Sequence, residues 1–249
     1  MNKESVSNFP QHGLARSILL HILPGLLTTI AFLLLKLILD GSGVPPLLAF
    51  LLAVLLVDLP VQLGIMLFEG RKLNGKFSLD GVVLYREKLN RKTFALVFVG
   101  AFVVVFLLMT LVTPLNTLLT QTFFSKLPAW MFLEEQTQYE AYAKSMLIAV
   151  FSFQLVLTGI ALPWVEELYF RGFLLPRISR FEAWAPILGG LLFALYHGWQ
   201  LYGFFTVLLL GAALGYVVWW KRDIRLGISL HVLANASARL MFLMVALAM

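Results

Sequence analysis

Residues 94–117, FALVFVGAFVVVFLLMTLVTPLNT, run for 24 positions without a charged side chain. As an α-helix, at about 1.5 Å per residue, this stretch reaches roughly 36 Å, enough to cross the ~30 Å hydrocarbon core of a bilayer. Similar apolar runs lie on both sides of it, at roughly 17–39, 46–68, 145–165, 184–199, 201–220 and 226–248, and charge clusters separate them. The stretch Asp40-Gly41-Ser42-Gly43-Val44-Pro45-Pro46 is a turn by its own chemistry. The expected fold class is all-α: a polytopic transmembrane helical bundle of about seven helices. An eighth helix has room within 118–143, a loop that carries Trp130 and the acidic residues Glu134, Glu135 and Glu140.

Composition agrees with a bilayer as the solvent. Of 249 residues, 60% are hydrophobic and 13% charged, against about 25% charged in a soluble domain. Such apolar content exceeds what one core of this size can bury. There is no cysteine, which excludes disulfides and thiolate metal sites. The first apolar run is too long for a signal-peptide core, and no small-residue cleavage site follows it, so it reads as a retained helix. Without a linker or an internal repeat, residues 1–249 read as a single membrane domain.

The net charge of +6 is first a topology signal. No basic, aromatic-interleaved polar segment is present, so no nucleic-acid partner is expected. Segment 69–92 holds Arg71, Lys72, Lys76, Arg86, Lys88, Arg91 and Lys92. Segment 171–182 holds Arg171, Arg177 and Arg180, and segment 221–225 holds Lys221, Arg222 and Arg225. With seven helices all three fall on the side of the N-terminus. The expected topology is therefore a multi-pass integral membrane protein, N-terminus cytoplasmic and C-terminus outside.

Ionisable residues inside a bilayer are costly and call for a reason. Asp58, beside Pro60, reads as a kink residue whose partner comes from a neighbouring helix. His21 reads as interfacial. More informative groups cluster in the last third of the chain. In Glu166-Glu167-Leu168-Tyr169-Phe170-Arg171, Glu167 and Arg171 are four apart and can pair on one helix face. Glu166 points about 100° away and is left free to act as a base. A solvated Glu–Arg ladder at a helix end fits the same pattern. Phe193 and His197 share a face, and a packed, hydrogen-bonded imidazole is the plainer reading there. His231 and Asn235 project side by side, as donors for an oxyanion or as interhelical glue. Gly211 and Gly215 form a small-xxx-small pair that lets helices approach closely.

Taken in order, Glu-Glu-x-x-x-Arg, Phe-x-x-x-His and His-x-x-x-Asn resemble the motifs of the CAAX-protease and bacteriocin-processing family, also called the CPBP or Abi family. The resemblance covers residues 145–249, which carry these core motifs. Its members are polytopic membrane proteases or their relatives; some cleave prenylated CAAX tails, and others act in bacteriocin processing or self-immunity. The resemblance implies an intramembrane endopeptidase of the glutamate type, acting on a membrane-associated protein or peptide and surrounded by membrane lipid. It implies Glu166 as general base, His197 as its partner on the water, and His231 and Asn235 as oxyanion donors. Glu167, Arg171 and Phe193 would be supporting residues. No cofactor is required in this reading. Zinc held by Glu166, His197 and His231 is the alternative, although the His-Glu-x-x-His helix is missing because Gly198-Trp199-Gln200 follows His197. A non-proteolytic immunity or partner-binding protein is the other alternative. A transporter with a buried relay lacks the expected repeat.

Depth poses a problem for this set. With helix 4 ending near 165, Glu166 sits at the membrane's inner edge, His231 ~9 Å past Arg225, and His197 ~22 Å past Glu182, at 1.5 Å per residue. Convergence then requires helix 4 to break near Pro163 and segment 164–182 to tuck into a protein-lined cavity.

Overall fold

The structure, a computed structural model, describes residues 10–133 and 136–249. Glu134 and Glu135 of the acidic loop lie outside the described residues. Among the described residues, six helices are long and apolar enough to cross a membrane. In chain order, α1 is Leu14–Ile38, α2 is Pro46–Asn74 and α3 is Arg91–Phe124. The fourth apolar element, Lys144–Tyr196, is 53 residues long and contains both the fourth and the fifth helix expected. It cannot be one straight rod. Glu166 and His197 are 31 positions apart, about 46 Å on a straight helix, yet their side chains stand 3.9 Å apart. The chain reverses in the 3₁₀ stretch Leu175–Trp184, where Glu182 has φ 48° and ψ −125°. We therefore divide it into α4, residues 144–174, and α5, Ala185–Tyr196. A 3₁₀ turn, Gly198–Gly203, leads to α6, Phe204–Lys221, and a tight turn leads to α7, Ile224–Ala248. The chain is an integral multi-pass membrane protein with an all-α fold. Among the described residues, 125–143 holds only 3₁₀ turns at Ala129–Met131 and Gln136–Tyr139, so the eighth helix does not form there.

Helix ends follow local chemistry. Asn90 caps α3, accepting from the Thr93 amide at 3.0 Å, and Asp223 caps α7 through the Arg225 amide. Gly75 ends α2 in the left-handed conformation that glycine adopts without steric cost.

Lipid tails are as apolar as leucine, so the helices are held by close packing and polar contacts rather than by apolar burial alone. α5 and α6 form an antiparallel hairpin in which a Cβ on Gly190 would stand 2.5 Å from the Ala212 nitrogen, and one on Gly211 3.0 Å from Phe193. The close approach expected at Gly211 and Gly215 is therefore present, with Gly190 as its counterpart on α5. α4 and α7 are antiparallel neighbours: a Cβ on Gly159 would stand 3.3 Å from the Ala236 Cα. α3 lies at the edge, with most of its apolar surface exposed. Val105 on it packs with Leu210, Leu214 and Leu230.

The basic segments do gather at one end of the bundle. The His12 amide donates to the Arg177 carbonyl, Leu84 N to Gly172 O, Glu87 N to Arg222 O and Ile224 N to Tyr85 O. The opposite end carries the C-terminus, where Lys144 Nζ donates to the Leu247 carbonyl.

Three expectations are corrected here. Helix 4 does not break near Pro163. It stays helical through 174, widened by π-helical turns at Leu157–Ala161 and Glu167–Leu174 on either side of Leu162–Glu166. The region 171–182 is not simply a basic loop either, because Arg171 and Arg177 are buried. Tucking into protein, which a break was invoked to achieve, occurs without one: Tyr169, Phe170, Phe173, Leu174 and Leu175 are all buried. The depth problem disappears with it, since Glu166 lies eight residues before the end of α4 and His197 is the C-cap of a short α5. His21, expected at the interface, is instead buried; its Nδ1 lies 2.7 Å from the Ser17 carbonyl and its ring packs on Phe170.

Candidate active site

Four helices and one turn bring the polar residues of the apolar interior together. Glu166 ends the α-helical turn between the two π-helical segments of α4. A π turn packs more residues into each turn and interrupts the i→i−4 ladder, a device common at functional sites. Here it places Glu166 and Glu167 on two working faces. Glu166 is buried, and its two carboxylate oxygens face the two imidazoles. Oε1 is 3.9 Å from His197 Nε2, and Oε2 is 3.7 Å from His231 Nε2. Both gaps are too long for direct hydrogen bonds and short enough for one oxygen atom to bridge.

Each imidazole is oriented by its other nitrogen. His197 Nδ1 lies 2.8 Å from the Phe193 carbonyl, an acceptor only, so Nδ1 carries the hydrogen and Nε2 presents a lone pair. His231 Nδ1 lies 2.9 Å from Glu167 Oε1. The same Glu167 oxygen takes Arg171 Nη1 at 2.8 Å, and Arg171 Nη2 donates to the Gly211 carbonyl at 3.1 Å. Breaking such a buried pair by removing one partner typically costs ~3–5 kcal/mol.

The expectation that Glu167 pairs with Arg171, leaving Glu166 free, matches these distances. The contact from Glu167 to His231 was not foreseen. It joins α4 to α7 and lies beyond any spacing rule, which reads one helix at a time. Phe193, buried, stands under the Arg171 guanidinium at 4.3 Å and edge-on to His197 at 4.6 Å. One ring thus packs both the ion pair and the imidazole. Asn235 donates through Nδ2 to the Thr158 carbonyl at 3.3 Å, which leaves its second amide hydrogen for the cavity.

Glu166, His197, His231 and Asn235 all line one cavity of about 190 Å³, together with Gln154 and Arg239. All four proposed site residues are therefore assembled in one place, and Glu167, Arg171 and Phe193 form the layer behind them.

Sequence reasoning underweighted Asp58. It is fully buried on the π turn Val54–Asp58 of α2 and does find a partner on another helix, the Tyr196 hydroxyl. That partner immediately precedes His197, and the two rings pack edge-on at 4.7 Å. The available hint was a lone carboxylate in an apolar helix; its neighbour was not readable.

Residues 148–237 match the family model described as Rce1-like, type II CAAX prenyl endopeptidase Rce1-like. The match contains all three motifs and agrees with the resemblance drawn from them. No curated protein and no solved structure matches the chain.

Proposed function

With a CAAX-endopeptidase match across the motif region as premise, we propose that this chain is a membrane-embedded endopeptidase. It hydrolyses a peptide bond of a membrane-associated substrate with glutamate-activated water. The observation that carries the proposal is the convergence of both oxygens of the buried Glu166 on two imidazole Nε2 atoms, at 3.7 and 3.9 Å, within one cavity. Glu166 takes a proton from a water held between it and His197. The hydroxide pair attacks the scissile carbonyl carbon. His231 and Asn235 stabilise the oxyanion, with Glu167 holding the His231 ring in place through Nδ1. The proton on Glu166 then passes to the leaving amine.

The family description favours a prenylated CAAX-type tail as substrate; a leader peptide is the other candidate. Membrane lipid surrounds the bundle. The clustering of basic segments at the N-terminal end supports an N-terminus in the cytoplasm and a C-terminus outside.

In this reading no metal is required. A zinc ion on Glu166, His197 and His231 has one observation in its favour. Both Nδ1 atoms are held by second groups, Phe193 O and Glu167, as metal-ligating histidines generally are.

The deciding experiment is cleavage of a fluorogenic farnesylated CAAX peptide by the purified full chain, with metal analysis and a chelator titration. Glu166→Ala should abolish cleavage, since general-base help is worth ~10²–10⁴ and the attacking water would also lose its anchor. Wild-type cleavage by Glu166→Ala refutes the assignment. Stoichiometric zinc, with loss of activity on its removal, replaces the metal-free version.

A further inference from the structure

We propose that Tyr196 and Asp58 are positioning residues for Glu166: Asp58 fixes the hydrogen of the Tyr196 hydroxyl so that the hydroxyl oxygen can accept from Glu166 as it takes the proton of water. The inference rests on the reading of Glu166 as general base and extends it to α2, which lies outside the matched region 148–237.

Asp58, Gln62 and Tyr196 are all fully buried. A carboxylate deep in an apolar bundle is costly, and packing alone gives no reason to keep one. The hydrogen-bond inventory of the cluster gives a reason. A tyrosine hydroxyl has one hydrogen and two lone pairs. The hydrogen goes to Asp58 Oδ2. One lone pair takes a hydrogen from Gln62 Nε2 at 3.0 Å, and the same amide nitrogen gives its other hydrogen to Asp58 Oδ1 at 2.9 Å. The remaining lone pair is free for Glu166, which lies within electrostatic reach of this hydroxyl, its Oε1 3.9 Å from Nε2 of His197, the ring that packs edge-on to Tyr196 at 4.7 Å.

The ring cannot swing away. It packs against Phe170 at 4.9 Å, His197 at 4.7 Å and Trp199 at 5.3 Å. While Glu166 is ionised, it offers this lone pair no hydrogen. Once a water O–H bond breaks and the proton moves to Glu166, the new carboxyl donates to Tyr196. This bond is thus gained between ground state and transition state, the kind of interaction that raises kcat without changing KM.

The test is kcat and KM of the purified full chain on the farnesylated peptide. Tyr196→Phe removes only the hydroxyl and should lower kcat about 10–100-fold, as for other residues that orient a reacting group from behind, with KM within about threefold. Asp58→Leu frees the hydroxyl hydrogen to turn toward Glu166 and should lower kcat similarly. Asp58→Asn keeps an acceptor for Tyr196 and should be milder. The double variant Asp58→Leu/Tyr196→Phe should be no slower than Tyr196→Phe, because Asp58 acts only through the hydroxyl.

Full kcat in Tyr196→Phe, additive losses in the double variant, or a change in KM alone overturns the inference. A purely structural role for Asp58 would give additive losses. If Asp58→Leu does not fold, the comparison of Asp58→Asn with Tyr196→Phe carries the same test. Glu166→Gln separates the two levels. An inactive Glu166→Gln beside a fully active Tyr196→Phe sinks this inference alone. An active Glu166→Gln, or a wild-type chain that leaves the peptide intact, sinks the base assignment and this inference with it.

Discussion

Gly227 lies one helical turn before His231 on α7, against the buried end of Glu167. A Cβ built there would stand 2.4 Å from Glu167 Oε2 and 2.8 Å from Val218 Cγ2. Ordinary contact begins at about 3.4 Å, so Gly227→Ala must drive the carboxylate back by about 1 Å. A free glutamate would move at little cost. This one is pinned by Arg171 at 2.8 Å and His231 at 2.9 Å, and a 1 Å shift stretches both contacts beyond hydrogen-bond range. Hydrogen bonds to buried charged groups contribute ~1.5–3 kcal/mol each, whereas alanine in a helix regains only ~0.8–1.0 kcal/mol over glycine. The helix gain does not offset the loss, and a net destabilisation of about 2–5 kcal/mol is expected. The effect on turnover should be larger in proportion, because the His231 ring loses the partner that orients it, and a 1 Å misplacement can cost ~10²-fold in rate. The assay is kcat on the farnesylated peptide beside a thermal melt in detergent. Gly100→Ala, with open space around its Cβ, serves as control. Gly227→Ala with wild-type kcat and an unchanged melt would refute the argument that Glu167 holds His231 in place.

Asn235→Ala should lower kcat by ~10²–10³, the usual effect of losing one oxyanion donor, yet leave measurable cleavage where Glu166→Ala leaves none; equal loss in both would argue against a donor role. Gly25→Ala should destabilise the chain by more than Gly100→Ala, because its Cβ would fall 1.8 Å from the Tyr196 carbonyl oxygen. Overpacking typically costs ~1–3 kcal/mol, and here backbone must move; equal melts for the two variants contradict that close approach of α1 and α5. Stability should also depend on pH through His12. Burial, then the charges of Arg16 and Arg177, hold its imidazole down from 6.5 to about 4. Between these values the unfolded chain binds a proton there that the folded chain does not, so stability falls as pH drops from 6.5 toward 4. His12→Asn should flatten that slope in a melting series, and an unchanged slope would count against it.

Much of this protein could be read from one dimension. Seven apolar runs became seven helices because a bilayer leaves the backbone few alternatives: every amide buried in lipid must bond within its own segment. Glu167 and Arg171 pair as their spacing requires, since residues four apart on a helix meet whatever surrounds them. The failures share a cause. The end of α4 falls at 165 in the sequence because Arg171 and Arg177 read as loop charge, and a string of residues does not show that the carbonyls of Gly211, Val82 and Phe173 supply their further partners. Burial of a charge is a property of the assembled neighbourhood. Local pattern could name Glu166, His197, His231 and Asn235 as candidates, one helix at a time. Only tertiary structure decided that α4, α5 and α7 present them to a single cavity. It decided too that the lone carboxylate on α2 reaches that site through Tyr196, because contacts between helices depend on packing, on glycines that let backbones approach, and on the π turns that set which face each carboxylate occupies.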